Sequence, residues 1–360
     1  MTLPAAVNIV FRTDGGATVG AGHLMRCLAL AEELRAMGAQ PHFIGRAEVG
    51  HLLGRVADAG LPLYPLATLP GHRAATEAED AAQTTAVLAG LGFTPDWLVV
   101  DHYRLGRAWQ SAVRPLVRRI AVIDDLADRP HDADLLLDQN LDETQGRRYD
   151  GLLPRDCRRL IGPRYALLRR EFASLRAQRR PSIGECRRVL VFYTAGHDLG
   201  ETLKALQGLA LHVGRRPGAA SLSVDVVAGA ANPDRVAIAA LCDTHGWRLH
   251  DQTPRIADLI ARADLAIGAG GASNWERCAL GIPALVTILA DNQALVAQAL
   301  HRAGAVRCLG WGHELAAVDY ANAMAALDGA SLRAMAERAA ALVDARGAAR
   351  VAQELLDDAA

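Results

Sequence analysis

His23 stands at the mouth of a glycine-rich turn. Val7-Asn8-Ile9-Val10-Phe11-Arg12-Thr13-Asp14 leads into Gly15, Gly16, Gly20 and Gly22, and His23-Leu24-Met25-Arg26-Cys27 follows. An imidazole titrates near neutral pH, so in such a place it can take a proton from water or from a sugar hydroxyl. The glycines let several backbone N–H groups and a helix N-terminus face one spot, where a diphosphate or a carboxylate is favoured. Spacing alone also admits a histidine that only caps or packs the turn.

A second glycine-rich strand end lies far along the chain: Gly268-Ala269-Gly270-Gly271-Ala272-Ser273-Asn274-Trp275-Glu276, with Gly281-Ile282-Pro283 closing the helix after it. Ser273 or Asn274 is a natural N-cap, and the free N–H groups beside it suit a pyrophosphate. Glu276, near the first turn, can accept hydrogen bonds from a ribose diol, or simply complement the helix dipole with no ligand present. The loop is not Gly-x-Gly-x-x-Gly with an acidic residue about twenty positions on, and no Gly-Lys-Ser/Thr follows it, which speaks against a nicotinamide cofactor and against kinase chemistry. Asp124-Asp125 with Asp128 has the look of a Mg²⁺ cluster, but Arg129, Pro130 and His131 trail it and a structural loop is expected. Asp101-His102 admits a metal or a charge relay; a strand-end loop is expected there too, with Tyr103 as the member that reaches substrate. Trp275 is expected in the core.

Strands and helices must alternate to present these loops. Residues 7–11 read as a buried strand, and Ala21 to Met37 as a helix stopped by Gly38. Further strands are expected at 41–45, 97–101, 119–124 and 134–138, then, after a linker marked by Gly162-Pro163 and Gln178-Arg179-Arg180-Pro181-Ser182, at 188–193, 222–228, 264–269 and 283–288, with helices from there to the C-terminus. That rhythm predicts two doubly wound α/β halves with a ligand cleft at the carboxyl ends of their parallel sheets. A chain of 360 residues suits two domains, and 51% hydrophobic residues with a net charge of -1 leave no basic excess for nucleic acid. The six cysteines have neither Cys-x-x-Cys nor Cys/His ligand spacing, so no zinc site or disulfide framework is expected. The opening residues lack a charged and apolar leader pattern, and nowhere do 18 apolar residues run together, which predicts a cytoplasmic protein with no membrane insertion.

Seven segments carry a resemblance, in order and in both halves. They are Phe11-Arg12-Thr13-Asp14, Gly20-Ala21-Gly22-His23-Leu24-Met25-Arg26-Cys27, Asp101-His102-Tyr103, Ile123-Asp124-Asp125-Leu126-Ala127-Asp128-Arg129, Leu137-Asp138-Gln139-Asn140, Gly162-Pro163-Arg164-Tyr165-Ala166-Leu167-Leu168-Arg169, and Gly268 through Cys278. Together they resemble the UDP-2,4-diacetamido-2,4,6-trideoxy-β-L-altropyranose hydrolases of the pseudaminic acid pathway, which are similar in fold to the GT-B glycosyltransferase of peptidoglycan lipid synthesis. The resemblance implies a GT-B-like fold: an N-terminal Rossmann-like domain over 1–165 carrying the base, a UDP-binding domain over 183–345, and a C-terminal helix over 346–360. It implies inverting hydrolysis of a UDP-sugar without metal or cofactor, with His23 activating water and Tyr103 in the cleft. Substrate contacts would come from Asp14, Gly20, Gly22, Arg26 and Asn140 on one side, and Gly196, Gly270, Gly271, Ser273, Glu276, Asn292 and Gln293 on the other.

One segment departs from the family. Val191-Phe192-Tyr193-Thr194 leads into Ala195-Gly196-His197-Asp198, where the family has Gly-Gly-x-Asp, and losing the first glycine narrows the backbone's approach to a diphosphate. Two other readings stay open: a glycosyltransferase in which an acceptor replaces water, and a non-catalytic nucleotide-sugar-binding protein. The sequence leaves the oligomeric state open.

Overall fold

Runs such as Ile9-Val10-Phe11, Leu98-Val99-Val100 and Leu285-Val286 have no polar face, as strands covered by helices on both sides require. In a computed structural model of the chain they lie in the middle of two all-parallel sheets. The structure describes residues 6–16, 20–47, 50–69, 73–179, 186–193, 198–215, 222–229, 232–251, 253 and 255–359. The chain divides into two compact units, Met1–Arg170 with Arg346–Ala360, and Glu171–Ala345.

The first unit holds β1 (Asn8–Thr13), β2 (Gln40–Arg46), β3 (Leu63–Leu66), β4 (Trp97–Asp101), β5 (Arg119–Ile123), β6 (Leu135–Asp138) and β7 (Arg158–Ile161), in the order β3-β2-β1-β4-β5-β6-β7. The second holds β8 (Arg188–Phe192), β9 (Ser223–Val227), β10 (Arg248–His250), β11 (Leu265–Ala269), β12 (Ala284–Ile288) and β13 (Arg307–Trp311), in the order β10-β9-β8-β11-β12-β13. Both orders are the Rossmann arrangement, and each reverses once, between β1 and β4 and between β8 and β11. Helices leave the sheet on opposite faces at such a reversal, and a crevice opens beyond the carboxyl ends of the two strands.

Every strand expected from the sequence is present. Four that were not expected, β3, β7, β10 and β13, are the edges of the two sheets. The region after residue 288 is therefore not helical throughout, and the expected linker contains the helix Arg170–Gln178 with Phe172 buried. The first helix runs Gly22–Ala36 and ends before Gly38, whose φ of 95° suits a residue without a side chain.

In the first unit, one core packs Phe11, Leu24, Leu30, Phe43 and Trp97 on one face of the sheet, and another packs Val10, Ile44, Leu98, Trp109 and Leu136 on the other. The helix Gly347–Asp357 completes the first of these: Val351, Ala352 and Leu355 lie in it, and Trp97 Nε1 donates to the Leu355 carbonyl at 2.8 Å. The second unit's core gathers around Val191, Leu209, Val226, Ile267 and Tyr320. All six cysteines are free. No helix among the described residues is long and apolar enough to cross a membrane.

Candidate functional site

The reversal between β1 and β4 brings the chemistry of the first unit together. Thr13 at the end of β1 stands opposite Asp101 at the end of β4, and the chain after β1 returns as the helix that carries His23 in its first turn. His23 Nδ1 lies 2.5 Å from Asp101 Oδ1. Arg26, one turn on, grips the same carboxylate from Nε (2.6 Å to Oδ2) and Nη2 (2.6 Å to Oδ1), and its Nη1 donates to Asp125 Oδ2 at 3.0 Å. Burial alone would raise the Asp101 carboxyl, but Arg26 and His23 beside it hold it well below the usual carboxylate range. Asp101 is therefore an acceptor only, so His23 Nδ1 carries a proton toward it and Nε2 is the ring nitrogen turned away from the carboxylate. Tyr103 packs edge-on against the imidazole, ring centroids 4.4 Å apart at 81°. Cys27 donates to Asp101 Oδ2 at 3.5 Å, and burial together with that carboxylate pushes its thiol well above the usual range, so it is no nucleophile.

A second buried network holds the floor of the same strand ends. Arg12 is fully buried and donates to Asp14 Oδ1 (2.6 Å) and Asp80 Oδ2 (2.6 Å), while Arg46 Nη2 reaches Asp80 at 2.8 Å and Arg46 N reaches Asp14 at 2.8 Å. His102 Nδ1 accepts from Arg104 N at 3.1 Å, so its proton is on Nε2, which lies 3.3 Å from Asp14 Oδ2. Burial opposes ionisation of Asp14, yet Arg12 and His102 hold it far below the usual range. Asp14 is thus committed within the protein.

The glycine turn itself differs from expectation. Gly16 and Gly20 exchange their N–H groups with each other's carbonyls at 3.1 and 2.8 Å, so these two donors do not face a ligand. Gly22 opens the helix. Asn140 follows β6, where its N–H donates to Asp138 Oδ1 at 3.0 Å. Asp138 also takes Arg148 and the Tyr149 hydroxyl (3.3 Å), but burial outweighs them and pushes its carboxyl up to about 6. Asp124 accepts from Ala127 N at 2.8 Å and pairs with Arg129 at 2.9 Å, the structural loop expected of it. Among the described residues no cluster of three His, Cys, Asp or Glu side chains could hold a metal ion.

In the second unit the reversal between β8 and β11 is as tight as a backbone allows. A Cβ on Gly268 would lie 2.1 Å from the Phe192 carbonyl oxygen. Gly270 N donates to Thr287 O at 3.0 Å, whereas the N–H groups of Gly271, Ala272 and Ser273 have no acceptor among the described residues. Neither expected N-cap acts as one: Ala272 occupies that position, and Asn274 is buried with its Oδ1 accepting from Arg277. Glu276 is half-buried in the first turn, and Trp275 lies in the core as expected. Gln293 closes against the glycines, 3.3 Å from the position of a Gly270 Cβ, and its Oε1 accepts from Leu289 N at 3.0 Å. Asn292 beside it is exposed. Gly196 lies outside the described residues, but Asp198 of the departing segment is buried, accepting from Gly200 N (3.1 Å) and Thr202 N (3.1 Å) and so holding the start of the following helix.

Asp101, the partner of His23, was weighed only as half of an Asp101-His102 pair that admits a charge relay, with a strand-end loop expected, and Arg277 was not expected in the site. For Asp101 the signal was present: an acidic residue at a strand end, next to the strand that feeds the histidine helix.

No family model matches the chain. It is similar to the UDP-2,4-diacetamido-2,4,6-trideoxy-β-L-altropyranose hydrolase of Campylobacter jejuni, 25% identical over 168 residues, which cover 46% of this chain and 53% of that protein. It is also similar to the spore coat polysaccharide biosynthesis protein SpsG of Bacillus subtilis, 29% identical over 152 residues, or 42% of this chain and 43% of that one. The chain thus spans about half the length of the curated relatives it matches. They support, at the level of the family, the resemblance read from the sequence. Among solved structures, MurG of Acinetobacter baumannii superposes with a TM-score of 0.67 at 14% identity, covering 98% of this chain and 99% of that one. The kitacinnamycin glycotransferase gives 0.65 at 18% identity, covering 99% and 100%. At such identity the likeness shows the fold, which is that of the GT-B enzymes.

Proposed function

We propose that the chain hydrolyses the anomeric C–O bond of a UDP-activated 2,4-diacetamido-2,4,6-trideoxyhexose. Water attacks the anomeric carbon from the side opposite the nucleotide and gives its proton to His23 Nε2. The bond to the phosphate oxygen breaks, and UDP leaves with the electron pair. The observation that carries this reading is the imidazole held through Nδ1 by Asp101, at the strand reversal of a Rossmann-type unit; Nε2 of the neutral ring is then the base. The second unit supports it with the N–H groups of Gly271, Ala272 and Ser273, which have no acceptor among the described residues and suit the diphosphate, and with Glu276, which suits the ribose diol. The name of the Campylobacter jejuni relative favours the same substrate. Metal has no role in the reading.

The test is release of UDP from the nucleotide sugar by the purified protein in buffer alone, with and without EDTA. Release without any acceptor and unaffected by EDTA is expected. The glycosyltransferases among the structural neighbours favour a second reading, transfer to an acceptor. Release that needs an added acceptor would establish it, and UDP binding without turnover would leave a binding protein.

A further inference from the structure

Among the described residues, the buried arginines come with carboxylates, except one. Arg12 has Asp14 and Asp80, Arg26 has Asp101 and Asp125, and Arg46 has Asp80. Arg277 is 3% exposed, and no carboxylate among the described residues forms an ion pair with it. Its Nη2 donates to two neutral acceptors, the Ala269 carbonyl at 2.7 Å and Asn274 Oδ1 at 2.5 Å, and its Nε has no acceptor among the described residues. Its Nη1 lies 2.8 Å from where a Cβ on Gly268 would stand, directly behind the glycine loop at the β8/β11 reversal. Leaving a buried charge without a partner is among the costliest arrangements a fold can carry. Burial lowers this guanidinium to about 10, against the smaller upward pull of Cys278 and Glu276 beside it in the chain.

We propose that Arg277 is a positioning residue for the anionic part of the ligand, a fixed positive charge behind the glycine loop whose counter-charge is the ligand's diphosphate. It acts in two ways without touching the ligand. By holding the Ala269 carbonyl oxygen it keeps that negative dipole end turned into the protein, away from an arriving phosphate. Its charge adds to that of the free N–H groups at Gly271, Ala272 and Ser273, in surroundings where a charge is poorly screened. The inference rests on the reading of the second unit as the nucleotide side.

The test compares UDP, inorganic pyrophosphate and uridine as ligands of the full-length protein by calorimetry, for wild type, Arg277→Gln and Arg277→Lys, with Arg277→Met in place of the Gln variant should that one not fold. Loss of the charge is expected to weaken UDP and pyrophosphate about tenfold or more and uridine less than threefold, with Arg277→Lys within about threefold of wild type for all three. Equal losses for all ligands in both the Lys and the Gln variant would reduce Arg277 to a strut and overturn the proposal, as would a wild type that binds neither UDP nor pyrophosphate. Pyrophosphate bound in a charge-dependent way, with uridine and UDP no better, would leave the inference standing and remove the nucleotide reading instead.

Discussion

Asp101 is already bonded to Arg26 through both oxygens when His23 meets it, and this decides what it does for the imidazole. A carboxylate so neutralised is a poor proton acceptor; it fixes the ring's tautomer and direction. His23→Asn should lower turnover about 10² to 10⁴ fold while leaving UDP affinity within about twofold, the signature of a general base. Asp101→Asn should also lower turnover without changing UDP affinity, and a thermal melt should in addition show a loss of stability, because two bonds to Arg26 weaken. Single-turnover hydrolysis alongside UDP calorimetry separates these effects, and wild-type turnover in His23→Asn would make His23 structural. The histidine was legible in the sequence because a Gly-His pair at a strand-to-helix turn is a local pattern. Its partner was legible only as half of an Asp101-His102 pair that admits a charge relay; that it meets His23 is decided by strand pairing across 78 positions of chain. The state of Asp138 was equally hidden, because it is burial in the folded unit that pushes its carboxyl from 3.8 to about 6. Between those two values the folded protein holds a proton that the unfolded chain has lost, so folding becomes less favourable as pH rises through the window, by about 3 kcal/mol once above it. Asp138→Asn cannot ionise. Its stability relative to wild type should therefore improve by roughly that amount between pH 4 and pH 7, read from urea midpoints, and a difference that does not change with pH would contradict the burial argument.

Elements were legible to the extent that they are buried. The central strands are continuous apolar runs, and their sequence allows little else. The four edge strands read Leu-Tyr-Pro-Leu, Arg-Arg-Leu-Ile, Arg-Leu-His and Arg-Cys-Leu-Gly-Trp: short, half-exposed, and interrupted by arginine, proline or glycine, as edges that must not recruit another strand tend to be. Their pairing comes from the neighbour already in place. Helix contacts were equally hidden, and Gly208 shows why. It sits inside the helix Glu201–Gly214, where a sequence reading sees only weak helix propensity, yet a Cβ there would lie 2.4 Å from Tyr320 Cβ and 2.6 Å from the Ala317 carbonyl. That close approach lets Tyr320 donate to Glu201 Oε2 at 2.6 Å and meet the Tyr193 hydroxyl at 2.8 Å. Gly208→Ala, stabilising in an isolated helix, should instead cost about 1 to 3 kcal/mol by overpacking, measured by urea unfolding. A neutral or stabilised variant would mean that this helix and the helix Ala317–Ala325, which carries Tyr320, part easily.

At the scale of the molecule, the first unit is made from two separated pieces of chain. The polypeptide leaves it at Arg170, builds the second unit, and returns at Arg346. The returning helix is part of the core: Val351 and Leu355 are almost fully buried, and Gly347 passes so close that a Cβ would stand 2.3 Å from the Ala166 carbonyl oxygen. Burying a Val or Leu side chain contributes about 1.5 to 3 kcal/mol, and losing the Leu355 carbonyl orphans the buried Trp97 N–H at about 1 to 3 kcal/mol more. Against a typical total of about 5 to 15 kcal/mol, that is a large share of one unit's stability and none of the other's. A chain ending at Ala345 should therefore lose hydrogen-exchange protection at β1, β4 and the helix Gly22–Ala36, while β8, β11 and β12 keep theirs. On the reading proposed above it should also lose turnover and still bind UDP, because the base and the nucleotide loop belong to different units. Loss of protection in both units together would show that the second cannot hold its fold alone. Retention of protection at β1 and β4 would show that the returning helix only covers a core that is stable without it.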